Sequence, residues 1–432
     1  MMTVGGRFRA TLSLGAAASM LVFAAGAVSQ DQDHDGSRNS NDNRWPYAAT
    51  GRSAPVLAVV GDVACQPGEE PSGEKAGENC AGDTVQNLLA SQAATAAQIE
   101  KMKPDAVALV GDEQYQVGRY SDFENSYELS YGAFKMITRP APGNHEFYVE
   151  HGAVGVAGYG YFSYFNGVQH NPDGSIKTAT IADNPDTGGT FTQPVPYSDG
   201  QAGHFEQTGG LGTTVPAGGP VGVGDGWYSY NLGSWHLISL NIECETQPGG
   251  CSDSGSWFAA ELAWLKKDLA ANRSRCTLAY WHQPTFSAAN SISLEGATAQ
   301  AFWQLLYQYG VDLVLNGHDH LYARYRPLDP SGNYDPGKGI REFIVGTGGE
   351  TLDPVATTGT ASDPSGNQNF NAENLEAASG QYWGVMGLTL KENGYAWNYQ
   401  SALKDPVQKT GPGSFSDQGF GTCHGRASWD GD

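Results

Sequence analysis

The sequence predicts an α/β fold with mixed sheets. Short, continuous apolar runs recur along the chain, each followed at once by Gly-Asp, Asn-His or Gly-His. Such runs suit strands buried on both faces. Between them lie segments whose apolar residues repeat every three or four positions, the pattern of amphipathic helices. Two further stretches carry hairpin signals, so the sheets are not purely parallel.

In chain order, "PVLAVVGD" predicts a first strand ending at Asp62 and "DAVALVGD" a second ending at Asp112. The helical pattern "TVQNLLASQAATAAQIEKM" (84–102) lies between them. "FKMITRPAPGNHEF" carries Asn144 and His145. Residues 151–226 are Gly-rich with scattered Tyr and Phe and little periodicity. They read as one long excursion, the kind of segment that is often functional. "WYSYNLGSWHLISLN" (227–241) predicts a hairpin turning at Leu232-Gly233-Ser234, and "WFAAELAWLKKDLAANR" (257–273) a helix. "CTLAYWHQP" is a strand ending at His282, and "TAQAFWQLLYQYG" (298–310) a helix closed by a glycine suited to its C-cap. "VDLVLNGHDH" ends in His318 and His320. Residues 351–380 form a second, polar excursion, and "GLTLKENGYAWNYQ" (387–400) predicts a hairpin turning at Asn393-Gly394.

The first residues hold Arg7 and Arg9, then an uncharged apolar run, then Ala25-Gly26-Ala27. This is the pattern of a secretory signal peptide over 1–27 with an A-x-A cleavage site. The alternative is a membrane anchor, but the apolar part is shorter than the ~20 residues a span needs. The polar stretch 28–53 reads as a disordered leader. One domain over 54–404 is expected, followed by a tail at 405–432, in a soluble protein that is secreted or periplasmic.

Export makes disulfides the expectation for the six cysteines, none of which forms a CxxC pair. Six cysteines allow about 15 pairings. Sequence proximity favours Cys65–Cys80 and Cys244–Cys251, leaving Cys276–Cys423 to tie the tail to the core. The net charge is -22. Losing Arg7 and Arg9 with the signal peptide makes it about two units more negative. An acidic surface disfavours nucleic acid and anionic membranes as partners. An anionic substrate would need a local source of positive charge.

The residues at the predicted strand ends are Asp62, Asp112, Tyr115, Asn144, His145, His282, His318 and His320. In open α/β sheets ligands bind just beyond the carboxyl ends of strands. Carboxylates and imidazoles without thiolates suit Fe, Mn and Zn. The donors are too many for one four-coordinate ion, and two cations sharing a carboxylate would use them. Residues i and i+2 of an extended turn point the same way, so His318 and His320 could each reach a different ion.

In order, "GDVA", "GDEQY", "GNHE", "WHQP" and "GHDH" resemble the signature blocks of calcineurin-like metallophosphoesterases, and more closely the purple acid phosphatase branch. Tyr115, three after Asp112, carries that branch assignment, together with Ala64 where many of the wider family have a histidine. The resemblance implies a four-layer α-β-β-α sandwich with two mixed sheets. It implies that Asp62, Tyr115 and His320 bind a first metal, that Asp112 bridges, and that Asn144, His282 and His318 bind a second. A phenolate favours Fe(III) at the first position, with Zn, Mn or Fe(II) at the second. His145 would face the substrate, stabilising the phosphate or protonating the leaving oxygen. Glu146 either orients His145 or is a solvated loop carboxylate, and Asp319 and Arg324 are read as structural.

The chain departs from the branch at Ala64, where many members have glycine, at Gln283 and at Asn290, where further histidines occur in some relatives. The last two bear on how the leaving group is protonated. There is also no room before residue 54 for the additional N-terminal β-sandwich of plant-type members.

The implied chemistry is attack of a metal-bound hydroxide on phosphorus, without a protein nucleophile. The serines offer no G-x-S-x-G elbow. The favoured function is a secreted phosphomonoesterase acting on a small phosphate ester. A phosphodiesterase or nucleotidase, with 151–226 forming a base-binding wall, and a non-catalytic exported binding protein are the alternatives.

Overall fold

The computed structural model describes residues 54–65, 85–115, 118–147, 158–182, 190–196, 226–244, 250–251, 256–289, 296–355, 372–405 and 413–425. The expected signal peptide, the leader, Cys80 and Asn290 lie outside these residues. The statements below concern the unit spanning Asn43–Asp432.

Two large sheets form its centre. The first runs in the order Ser416–Thr422, Gly394–Lys404, Tyr382–Lys391, Val56–Val60, Ala106–Val110 and Thr138–Ala141. The last three strands are parallel and the others pair antiparallel. The second sheet has the order Leu375–Ser379, Tyr322–Tyr325, Arg341–Val345, Leu313–Asn316, Cys276–Tyr280, Trp235–Ser239 and Tyr228–Leu232. Its four middle strands, Arg341–Val345 to Trp235–Ser239, are parallel.

Each central strand is apolar on both faces because each face meets a different layer. Leu57 and Val59 point between the sheets, where they join Leu278, Tyr280, Leu313, Leu315, Phe343 and Val345 in one core. Ala58 and Val60 point outward to a second core holding Ala96 and Ile99 of the helix Val85–Met102. Ala279, Val314 and Ile344 face a third core with the helices Trp257–Ala271 and Gly296–Gln308. The layers are helix, sheet, sheet, helix, as the family resemblance implied.

Local signals set the helix ends. Ser256 accepts a hydrogen bond from the amide of Ala259 and caps the helix Trp257–Ala271. Gly310 adopts φ 71° just beyond Gln308, the left-handed turn that favours glycine. Two expectations shift. The C-terminal hairpin turns at Glu392-Asn393, because Gly394 pairs with Lys391 in register. A side chain at Gly394 would meet the backbone oxygen of Gly421 on the neighbouring strand. The 151–226 excursion holds a helix, Tyr159–Asn166, and a hairpin, Thr178–Ala182 with Thr190–Pro194. That helix is buried on every side, so it shows no amphipathic period in the sequence.

The Cys244–Cys251 and Cys276–Cys423 disulfides are present. Cys65 is disulfide-bonded, but its expected partner, Cys80, is outside the described residues. Among the described residues no helix is long and apolar enough to cross a membrane.

Candidate metal centre

The carboxyl ends of Val56–Val60 and Ala106–Val110 run straight into Gly-Asp. Asp62 and Asp112 both take left-handed conformations, with φ 59° and 51°. His318, after Leu313–Asn316, does the same at φ 69°. This corrects the expectation of an extended turn at the histidine pair. The backbone bends at His318, and the two side chains meet different partners. His318 Nδ1 lies 3.2 Å from Asn144 Oδ1, and His320 Nε2 lies 3.1 Å from the Tyr115 hydroxyl.

The eight residues picked out in the sequence come together. The Tyr115 hydroxyl lies 2.9 Å from both Asp62 Oδ1 and Asp112 Oδ2. His320 Nε2 is 3.3 Å from Asp62 Oδ1, and His282 Nε2 is 2.9 Å from Asp112 Oδ2. Donor atoms of Asp112, His282 and His318 all lie within 4.8 Å of one another. His145 stands beside them, its Nε2 3.9 Å from Asp112 Oδ2 and its ring 4.2 Å from that of Tyr115. Asp112 thus touches both halves of the cluster.

The donor set fits metal ions. His282 Nδ1 faces the carbonyl of Val110 at 2.9 Å, and His320 Nδ1 faces that of Thr351 at 2.8 Å. A carbonyl only accepts, so each Nδ1 carries the proton and each Nε2 is left to ligate. His282 Nε2, though close to Asp112, makes no hydrogen bond and is fully buried. Acceptors crowded across such short gaps need positive charge among them, from bound protons or from a cation.

Without an added cation the electrostatics show the same need. Burial lowers the affinity of His282 for a proton, but Asp112 overrides it and pushes its pKa up to about 10. Burial raises Asp112, and the charges of His282 and His145 more than reverse this, holding it well below the usual carboxylate range. Burial, then the charge of His282, drives His318 down to about 3. Burial lifts Glu350, behind the cluster, to about 7.

Several groups support the cluster; the structural reading of Asp319 holds, whereas the roles of Glu146, Gln283, Asp353 and the Gly349–Glu350 loop were not read from sequence. Glu146 is neither solvated nor bonded to the His145 ring. It is buried and accepts from the amides of Asp112 (3.1 Å), Gln114 (3.1 Å) and Gly143 (2.9 Å), stapling the "GDEQY" block to the "GNHE" block. Asp319 is buried and accepts from Ser287 Oγ and the amides of Ala288 and Ala289, fixing the chain that follows His282. Gln283 is also buried, and its amide donates to Glu243. Asp353 accepts from the His320 amide. The amides of Gly349 and Glu350 donate to the carbonyl of Asp62. The run "FIVGTGGE" that supplies this last loop has the same apolar-then-glycine form as the other blocks, and that form was its available signal.

The family profile for calcineurin-like phosphoesterases matches residues 56–322. The chain therefore belongs to the calcineurin-like phosphoesterase family, whose purple acid phosphatase branch its curated relatives represent. Purple acid phosphatase 15 of Arabidopsis thaliana is 35% identical over 115 residues, 24% of this chain and 20% of that protein. An acid phosphatase of Aspergillus ficuum is 32% identical over 149 residues, 26% of this chain and 24% of that protein. The matched stretches thus span about a fifth to a quarter of these relatives' lengths. The structure of a purple acid phosphatase from yellow lupin (Lupinus luteus) seeds aligns with TM-score 0.48 and 17% identity, covering 86% of this chain and 54% of that one.

Proposed function

We propose that this chain is an exported phosphatase that hydrolyses small phosphomonoesters at a two-metal centre. The observation that supports it most is the meeting of the Tyr115 hydroxyl with Asp62, Asp112 and His320 within 3.1 Å, next to the Asp112–His282–His318 group. Asp62, Tyr115 and His320 would hold one ion and Asn144, His282 and His318 the other, with Asp112 shared. A phenol among the first set favours Fe(III), and the second suits Zn, Mn or Fe(II). When bound, such ions supply the positive charge a phosphoryl group needs and acidify water toward neutrality.

The chain's own side chains do the rest. His282 and His320 are held in the ligating tautomer by backbone carbonyls. The His145 amide donates to Asp112 Oδ1 at 2.9 Å, so its imidazole is set against the cluster. There it would stabilise the phosphate or give a proton to the leaving oxygen. Burial of the cluster removes competing water and strengthens each of these interactions.

Export is supported by the signal-like N-terminus and by the disulfides, which persist in oxidising compartments. The proposed organisation is a signal peptide at 1–27, a leader at 28–53, the catalytic domain at 54–404 with its 151–226 insert, and a tail at 405–432 held by Cys276–Cys423.

Metal analysis of the purified mature protein, alongside hydrolysis of p-nitrophenyl phosphate and its bis ester, tests the reading. Two ions per chain and preference for the monoester are expected. Preference for the bis ester would make it a diesterase, and no hydrolysis of either with metals loaded would exclude a phosphatase. A visible charge-transfer band lost in Tyr115→Phe is expected for Fe(III), and a colourless, fully active Zn or Mn protein would overturn that assignment.

A further inference from the structure

The 151–226 insert is the largest sequence feature that the proposed chemistry does not use. Its described part packs on the two loops that carry Tyr115 and His145. The contact is backbone on backbone. A Cβ at Gly160, in the helix Tyr159–Asn166, would land on the carbonyl oxygen of Gly118 and 2.7 Å from the amide nitrogen of Tyr120. Gly118 itself has φ 52°, and a Cβ there would lie 2.7 Å from Glu146 Cα and 3.1 Å from the His145 carbonyl oxygen. Helix, Gly118 and the His145–Glu146 backbone are therefore stacked with no room for a side chain between them.

Hydrogen bonds fix the same stack from its sides. The Tyr120 amide donates to Gln193 Oε1 at 2.9 Å, and Gln193 belongs to the insert's hairpin. Ser163 Oγ donates to the carbonyl of Pro194 at 2.9 Å, tying helix to hairpin. Tyr161 donates to the carbonyl of Pro140, on the strand that leads into "GNHE". Gly158 abuts Phe147, the residue after Glu146, on the far side.

We infer that the insert is a buttress for His145, and that Gly160 and Gln193 are positioning residues which act through the His145 loop. The inference rests on the phosphatase reading. Its physical basis is that a catalytic group displaced by about 1 Å can lose on the order of 100-fold in rate, and the stack leaves this loop no slack toward the insert.

The test is a double-mutant cycle on the metal-loaded enzyme with p-nitrophenyl phosphate. Alanine is a better helix former than glycine, so Gly160→Ala does not weaken the helix itself. We expect it to lower kcat about 10- to 100-fold with KM little changed and metal content intact, because misplacing a catalytic group acts on the transition state. In a His145→Ala background the same substitution should lower kcat by less than about threefold, since coupled residues are non-additive. Gln193→Ala, which leaves the helix unaltered, should show the same split and the same loss of effect, more weakly; it decides the matter if Gly160→Ala does not fold. Effects that multiply independently of His145, or loss of metal in place of kcat, would overturn the inference. An inactive wild-type enzyme with both ions bound would instead remove the phosphatase reading itself.

Discussion

Two clusters of charge among the described residues, one half-buried and one fully buried, are balanced in opposite ways. At one edge of the two sheets, Arg324 pairs with Asp417 at 2.7 Å and with Glu376, and Arg341 also pairs with Glu376. Tyr322 and Trp397 donate to Asp417 as well, and Arg324 lies 4.8 Å over the Trp397 ring. Arg326 lies 3.9 Å from Glu376 as well, so three cations meet two anions and both carboxylates have donors. At the strand ends, Asp62, Asp112, Glu113, Glu146 and Glu350 are all buried, and the cations nearest them are imidazoles. The first cluster is neutralised from within and links the edges of the two sheets. The second is left in deficit, and such a deficit makes a site for metal ions.

The sharpest way to break this contrast is Asp112→Asn. Removing the carboxylate proposed to be shared should lower turnover of p-nitrophenyl phosphate by on the order of 10³-fold, with metal content falling and folding retained. Full activity in that variant would mean the cluster is not the catalytic centre. Glu146→Ala removes the staple without removing a donor, so activity or metal affinity should fall about 10- to 100-fold, as for other groups that orient ligands. Titration with Zn against activity reads this directly, and an unchanged curve would make Glu146 dispensable.

The neutralised cluster should respond in the other currency. Arg324→Met should cost about 1–2 kcal/mol of stability, discounted for partial exposure, in urea melts, while kcat stays within about twofold. A large fall in kcat would join the two clusters functionally. The smallest effect concerns pH. Burial raises the Asp417 carboxyl, but its bonds to Arg324 and Tyr322 outweigh this and hold it below the ordinary value. Its contribution is therefore present above the unfolded value of about 4 and fades as pH falls through the lower folded one. The melting-temperature gap between wild type and Asp417→Asn should be constant from neutral pH to about 5 and shrink below about 4. A gap that widens on acidification would contradict the assigned direction.

The sheets were readable because their strands are apolar on both faces and end in abrupt glycine blocks. Val56–Val60 and Ala106–Val110 could hardly be anything else. The donor residues were readable for the same reason, since each closes such a run. What escaped was local and non-periodic. Nothing in "GNHE" says that Glu146 turns inward to three amides. The left-handed φ of His318 is invisible in "GHDH", where an extended turn gives the same spacing. The helix Tyr159–Asn166 escaped because it is buried all round, so burial erased the period that would have betrayed it. Its partner glycine, Gly118, carries meaning only once the chain is folded against Glu146.

Asp62, Asp112 and His318 hold their donors in a backbone conformation that costs an ordinary residue roughly 1–2 kcal/mol. If these residues hold the proposed ions, an unmetallated chain carries that burden with no return from them. Breeding this protein for heat resistance alone would therefore favour glycine or asparagine at these three positions. On the proposed reading such survivors would lose turnover, so a thermostabilised descendant must be selected on activity as well as on endurance.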